Sequence, residues 1–122
     1  MKIATLVLVA VIGVTAAAQR QVYDPGNGVM APVIVKEVKP KYTNAARSKK
    51  VQGSVLLQTI VDDDGSVGEV TVMRSLDSEL DQEAIVALKQ WEFRPGTREG
   101  KPVPVRFTCE LTFTLPDRPP NR

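Results

Sequence analysis

Val103-Pro104-Val105-Arg106-Phe107-Thr108-Cys109-Glu110-Leu111-Thr112-Phe113-Thr114-Leu115 alternates apolar and polar side chains from end to end. Seven apolar positions share one parity: Val103, Val105, Phe107, Cys109, Leu111, Phe113 and Leu115. Successive side chains of a strand point to opposite faces of its sheet. The stretch therefore predicts a long strand with one buried face and one wet face. Its solvent side carries Arg106, Thr108, Glu110, Thr112 and Thr114.

Upstream of this strand the period changes from two to that of a helix. Leu80, Ala84, Leu88 and Trp91 recur at spacings of 4, 4 and 3, and Ile85 and Ala87 widen the stripe. That spacing places them on one helical face. Ser78 is expected to cap this helix, with Asp81 as its capping acid. Pro95-Gly96 ends the segment, and Arg98 to Lys101 reads as a charged loop.

Further upstream, Ser54 to Val61 and Val67 to Arg74 read as two strands of a hairpin. Val55, Leu57, Thr59 and Val61 share one face of the first; Leu56 and Ile60 lie on the other. Asp62-Asp63-Asp64-Gly65-Ser66 supplies the turn, with Gly65 free to take positive φ. Thr43 or Asn44 is expected to cap a short helix through Ala45, Ala46 and Arg47 to about Lys50. Val33-Ile34-Val35 is a short β-branched run read as a further strand, and Pro40-Lys41-Tyr42 is extended. The order helix, strand, strand, helix, strand predicts an α+β fold, a three-stranded antiparallel sheet with two helices packed on one face.

The 122 residues allow one domain. With 16 basic and 14 acidic residues the net charge is +2, too small for a nucleic-acid binder held by phosphate contacts. The chain has no His, which removes the usual neutral-pH acid/base and the commonest transition-metal ligand. Its single Cys excludes an internal disulfide and Cys-cluster metal sites. Ser48, Ser66, Ser75 and Ser78 have no His to activate them.

The chain opens with Met1-Lys2, an apolar run from Ile3 to Val14, and Ala16-Ala17-Ala18. This is the layout of a secretory signal peptide, expected at residues 1–18. The alternative is a retained membrane anchor, for which Ile3 to Ala18 is short of the about 20 apolar residues of a spanning helix. Residues 19–31, with Pro25, Gly26, Asn27 and Gly28, read as a flexible leader, residues 32–115 as the folded domain, and residues 116–122 as a disordered Pro-rich tail. The implied compartment is outside the cytoplasm, with the chain held at a membrane if the first segment stays as an anchor.

Four motifs together resemble the C-terminal domain of TonB-family energy transducers. They are Pro40-Lys41-Tyr42 with Ala46-Arg47 and Val51-Gln52-Gly53-Ser54-Val55; the hairpin Val61-Asp62-Asp63-Asp64-Gly65-Ser66-Val67; the helix ending in Trp91-Glu92-Phe93-Arg94-Pro95-Gly96; and the last strand after Gly100-Lys101-Pro102-Val103. Thr43 stands where the family usually has Pro. The family usually has an uncleaved inner-membrane helix followed by a long Pro-rich spacer, whereas Gln19 to Val35 here is 17 residues, at most roughly 60 Å when extended.

The resemblance implies a non-enzymatic protein, without cofactor or metal, that binds a segment of an outer-membrane receptor or another envelope protein. In that family the segment adds as a strand beside the last strand of the sheet, by β-augmentation. The implied edge is Val105, Arg106, Phe107, Thr108, Cys109, Glu110 and Leu111. Pro40, Lys41 and Tyr42 are implied as a second contact; the plainer reading is that Tyr42 packs over the sheet end with its hydroxyl at the surface. The alternative function is a short membrane-anchored transducer supporting transport across the outer membrane and driven by an inner-membrane motor complex. A homodimer by edge-strand pairing is a further expected partner state, and the competing reading of the edge is a strand blunted by charge against aggregation.

Other features have plainer readings. On an EF-hand template with Gly65 sixth, the first and last ligands would be Ile60 and Thr71, so Asp62, Asp63 and Asp64 read as a solvated turn. A hydrolytic pair such as Asp64 and Glu69 has no pocket implied at a hairpin tip. Cys109 lies on the buried parity, as an inert thiol. Trp91 reads as a core anchor, and Arg94, Arg98 and Lys101, interleaved with Glu92 and Glu99, as a mixed solvated surface.

Overall fold

The structure, a computed structural model, describes residues 20–116. The expected signal peptide at residues 1–18 and nearly all of the expected tail lie outside the described residues. In chain order the elements are β1 (Val29–Met30), β2 (Val33–Lys36), α1 (Asn44–Ser48), β3 (Gly53–Val61), β4 (Val67–Arg74), α2 (Ser78–Lys89), β5 (Glu92–Arg94), β6 (Thr97–Arg98), β7 (Lys101–Pro102) and β8 (Val105–Phe113). The main sheet is antiparallel with strand order β4-β3-β8. Among the described residues no helix is long and apolar enough to cross a membrane.

The alternating stretch forms the expected long strand. β8 pairs with β3 in unbroken register from Gly53↔Phe113 to Val61↔Val105. Val55, Leu57 and Val61 of β3 and Leu111 and Phe113 of β8 face the core with Leu80, Ala84, Leu88 and Trp91 of the helical stripe. Leu57, Leu80 and Leu88 are fully buried, each contributing roughly 1.5–3 kcal/mol of transfer free energy. Thr59 is buried among them and keeps its hydroxyl satisfied on the Glu69 carbonyl at 2.8 Å. α1 contributes Ala46 to the same core, and Thr43 caps it by accepting the Ala46 amide at 3.1 Å.

Several local expectations are corrected. The cap of α2 is Asp77, whose carboxylate accepts the Glu79 and Leu80 amides; Ser78 is the first helical residue. Asp81 does not close a capping box but is buried and turned back to accept the Leu76 amide at 3.0 Å and the Ser75 hydroxyl. α2 stops at Lys89, and Trp91 to Pro95 does not continue it. Glu92–Arg94 is instead a strand, antiparallel to β2. The charged loop at Arg98 to Lys101 is a tight hairpin of β6 and β7, with Glu99 and Gly100 both at positive φ as a two-residue turn demands.

The turn of the β3–β4 hairpin is less free than its composition implies. Gly65 is buried, donates to the Asp62 carbonyl at 2.9 Å, and accepts the Phe93 amide at 3.1 Å. A Cβ there would meet the Phe93 carbonyl oxygen at 2.1 Å, so only glycine fits. The turn is thereby pinned to the chain that follows α2.

The leader is also not free. In its described part, from Arg20, Val29–Met30 pairs with Thr97–Arg98, and Tyr23 makes a parallel bridge to Val105.

Candidate functional site

β8 ends the main sheet, bonded to β3 on one side only. The Arg106 amide donates away from β3, to the Tyr23 carbonyl at 2.8 Å. Main-chain groups of a strand alternate sides with period two. The peptide groups of Thr108, Glu110 and Thr112 therefore also face outward, while those of Phe107, Cys109, Leu111 and Phe113 serve the β3 ladder. Among the described residues no strand pairs with β8 on its outer side beyond the Tyr23 bridge.

A groove of about 450 Å³ lies beside the second half of this edge. Leu111, Phe113 and Trp91 supply its apolar floor, Pro40, Tyr42 and Val38 its opposite wall, and Glu37, Lys39 and Glu110 its charged rim. The wall is held in place from below. The Trp91 indole donates to the Val38 carbonyl at 2.8 Å. Tyr42 meets the Phe113 ring edge-on with centroids 5.6 Å apart, and its hydroxyl donates to the Val51 carbonyl. The hydroxyl is thus engaged in an internal bond and not left at the surface, and Arg47 covers the ring.

The residues named from the sequence divide across this geometry. Pro40 and Tyr42 line the groove; Lys41 does not. Glu110 and Leu111 line it, and Thr108 offers an exposed side chain and an outward amide. Val105 is buried beside the leader, and Arg106 is engaged by it. Phe107 packs on Phe93, with ring centroids 4.9 Å apart. Sequence reasoning stopped the edge at Leu111 and missed Thr112, Phe113 and Thr114, although the same alternation runs through them. It also missed Glu37, Val38 and Lys39, which no local pattern marks. Trp91 is a core residue, 6% exposed, and at the same time the groove's floor.

The electrostatics are mild. Arg74 reaches Glu110 at 2.9 Å, with both side chains largely in solvent. Burial pushes the half-buried Cys109 thiol up to about 11, with the nearby charge of Glu37 adding to the effect. The Asp64 carboxyl is held below its ordinary range by the Ser66 hydroxyl and amide, which it accepts at 2.6 and 2.9 Å. Among the described residues no group of three acidic or thiol side chains converges as a metal site. The arrangement is one of open main-chain donors and acceptors beside an apolar trough, suited to receiving an extended chain.

The sequence profile of the family described as Gram-negative bacterial TonB protein C-terminal matches residues 38–115. The chain is 31% identical over 102 residues to Protein TonB of Vibrio cholerae serotype O1, covering 83% of this chain and 42% of that protein. It is 36% identical over 77 residues to Protein TonB of Xanthomonas campestris pv. campestris, covering 62% of this chain and 34% of that one. It is 40% identical over 77 residues to Protein tonB2 of Pseudomonas aeruginosa, covering 62% and 28%. The chain thus spans less than half the length of each of these relatives. Its fold is similar to the solution NMR structure of the Pseudomonas aeruginosa TonB CTD, with a TM-score of 0.60 at 20% identity, over 83% of this chain and 99% of that one.

Proposed function

The chain belongs to the TonB C-terminal family, and from that premise we propose that it is a non-enzymatic envelope protein that captures an extended segment of an outer-membrane receptor, or of another envelope protein, by strand addition to β8. The observation that carries this reading is the coincidence of the outward amides of Thr108, Glu110 and Thr112 with the groove floored by Trp91, Leu111 and Phe113. Main-chain bonds along the edge supply affinity, and every second side chain of the partner enters the trough and supplies selectivity.

In the same reading, residues 1–18 direct export and are removed, leaving a periplasmic protein. A retained first segment would instead make a short anchored transducer, coupled to an inner-membrane motor. Arg20 is tied to the hairpin turn through Asp62 at 3.7 Å and Asp63 at 3.1 Å. An anchor ending at Ala18 would leave only the leader, at most roughly 60 Å when extended, as a spacer, and we propose the free periplasmic form. The intact mass from fractionated cells decides: a start at Gln19 in the soluble envelope fraction supports it, and a full-length mass in the inner membrane overturns it.

Strand addition is tested with a randomised nonapeptide library displayed on phage and selected against the purified protein. Selected peptides should shift the amide resonances of Thr108, Glu110 and Thr112. Thr108→Pro removes an outward donor without breaking the β3 ladder, and should abolish binding with the fold retained. Undiminished binding by folded Thr108→Pro would sink the edge assignment.

A further inference from the structure

We propose that Tyr23 and Asp24 form a latch that closes the first rung of the β8 edge and confines an incoming strand to the stretch after Arg106. This rests on the strand-addition reading and concerns how much of that edge a partner can use.

The rung is closed by main chain. The Tyr23 amide donates to the Pro104 carbonyl at 2.9 Å, and the Tyr23 carbonyl accepts the Arg106 amide at 2.8 Å. These are the bonds a foreign strand would make at that place, supplied by the chain itself in parallel orientation. The latch stops after one rung for a reason written in the sequence. With period two, the next leader residue to face β8 is Pro25, which has no amide hydrogen to offer the Arg106 carbonyl. The chain then turns away at Gly26, whose φ is +108°, through a turn that bonds Gly26 to Val29. Among the described residues the edge beyond Arg106 is left open.

Side chains hold the latch shut, and all of their ion pairs sit in solvent. The Arg106 guanidinium pairs with Asp24, and the Arg98 guanidinium lies 5.2 Å from the centre of the Tyr23 ring. Arg20, three residues earlier in the leader, pairs with Asp62 and Asp63. Exposed pairs are individually weak and screened by salt. The latch is therefore a closure that modest changes can open, unlike the β3–β8 ladder behind it.

The experiment compares the full chain with a Tyr23→Ala/Asp24→Arg variant, which removes the ring from Arg98 and sets a like charge against Arg106. The probe is a phage-selected nonapeptide that shifts Thr108, Glu110 and Thr112. Amide hydrogen exchange comes first: Arg106 should be protected in the natural chain and exchange freely in the variant. The peptide should leave the Arg106 resonance in place in the natural chain, and in the variant extend its footprint to Arg106. One added main-chain hydrogen bond should tighten binding on the order of threefold to tenfold. A peptide that displaces Tyr23 from Arg106 in the natural chain, with equal affinity for both chains, overturns the latch and leaves strand addition standing. So does an unprotected Arg106 amide in the natural chain. Selected peptides that shift no β8 amide in either chain overturn strand addition, and the latch falls with it.

Discussion

Trp91 and Val38 lie 53 residues apart, and the indole Nε1 of the first donates to the carbonyl of the second at 2.8 Å. The bond ties Trp91, two residues past the end of α2, to the wall of the groove, so the core's largest side chain also sets the position of a surface feature. Trp91→Phe keeps the ring volume nearly filled but leaves the half-buried Val38 carbonyl without its donor. The expected loss is about 1–2 kcal/mol in a urea titration, with the resonances of Glu37 to Lys39 shifted. Unchanged stability would mean that water replaces the indole.

Gly65 and Gly100 both have positive φ, 87° and 78°, but different surroundings. A Cβ at Gly100 meets nothing, whereas at Gly65 it would lie 2.1 Å from the Phe93 carbonyl oxygen. Gly100→Ala should therefore show only the left-handed penalty, roughly 1–2 kcal/mol. Gly65→Ala should lose clearly more and disturb the Gly65–Phe93 bond. Equal thermal midpoints for the two variants would contradict the close approach.

Asp81 outranks the residue that caps its helix. Asp77→Ala removes a half-buried cap, at about 1 kcal/mol. Asp81→Ala strips the buried carboxylate from the Leu76 amide and the Ser75 hydroxyl, which should lose about 2–3 kcal/mol. Denaturant titrations of the two variants test the ranking, and a larger loss at Asp77 would reverse it.

Cys109 makes stability fall at high pH. An unperturbed thiol titrates near 9.0, and burial moves this one up to about 11. Between those values the unfolded chain has released a proton that the folded chain still holds, so stability present below pH 9 is lost as pH rises towards 11. Cys109→Ala should flatten this part of the curve of stability against pH. The thiol of the natural protein should also react slowly with iodoacetamide at pH 8. Rapid alkylation of folded protein at that pH would count against the raised value.

Glu110 offers a charge on the groove rim that can be altered at little structural cost. Its pair with Arg74 has both side chains more than half exposed, and such pairs contribute about 0–1 kcal/mol. Glu110→Gln should therefore leave the urea midpoint nearly unchanged while altering the charge preference among selected peptides. An identical set of peptides from both proteins would show that the rim is not read.

What the sequence determined alone is what depends on neighbours a few residues apart. The single parity of Val105 to Phe113, the stripe of Leu80, Ala84, Leu88 and Trp91, and the turn residues of Asp62 to Ser66 each encode a local period. Those periods sufficed for the α+β layering and for the long last strand. Pro40 and Tyr42 were found through resemblance, and the parity that marked Val105 to Leu111 runs on through Phe113, where the groove lies. Tertiary structure decided everything that rests on pairing between distant segments. Glu92–Arg94 follows a helix closely enough to be read as its end, and becomes a strand only because β2 lies beside it. Tyr23 sits in a segment of turn-forming composition, and is ordered only because the first rung of β8 is unpaired. Which edge of the sheet stays open follows from the order β4-β3-β8. A main-chain donor looks the same in sequence whether its partner is another strand, a leader residue or solvent, and only the folded arrangement assigns one.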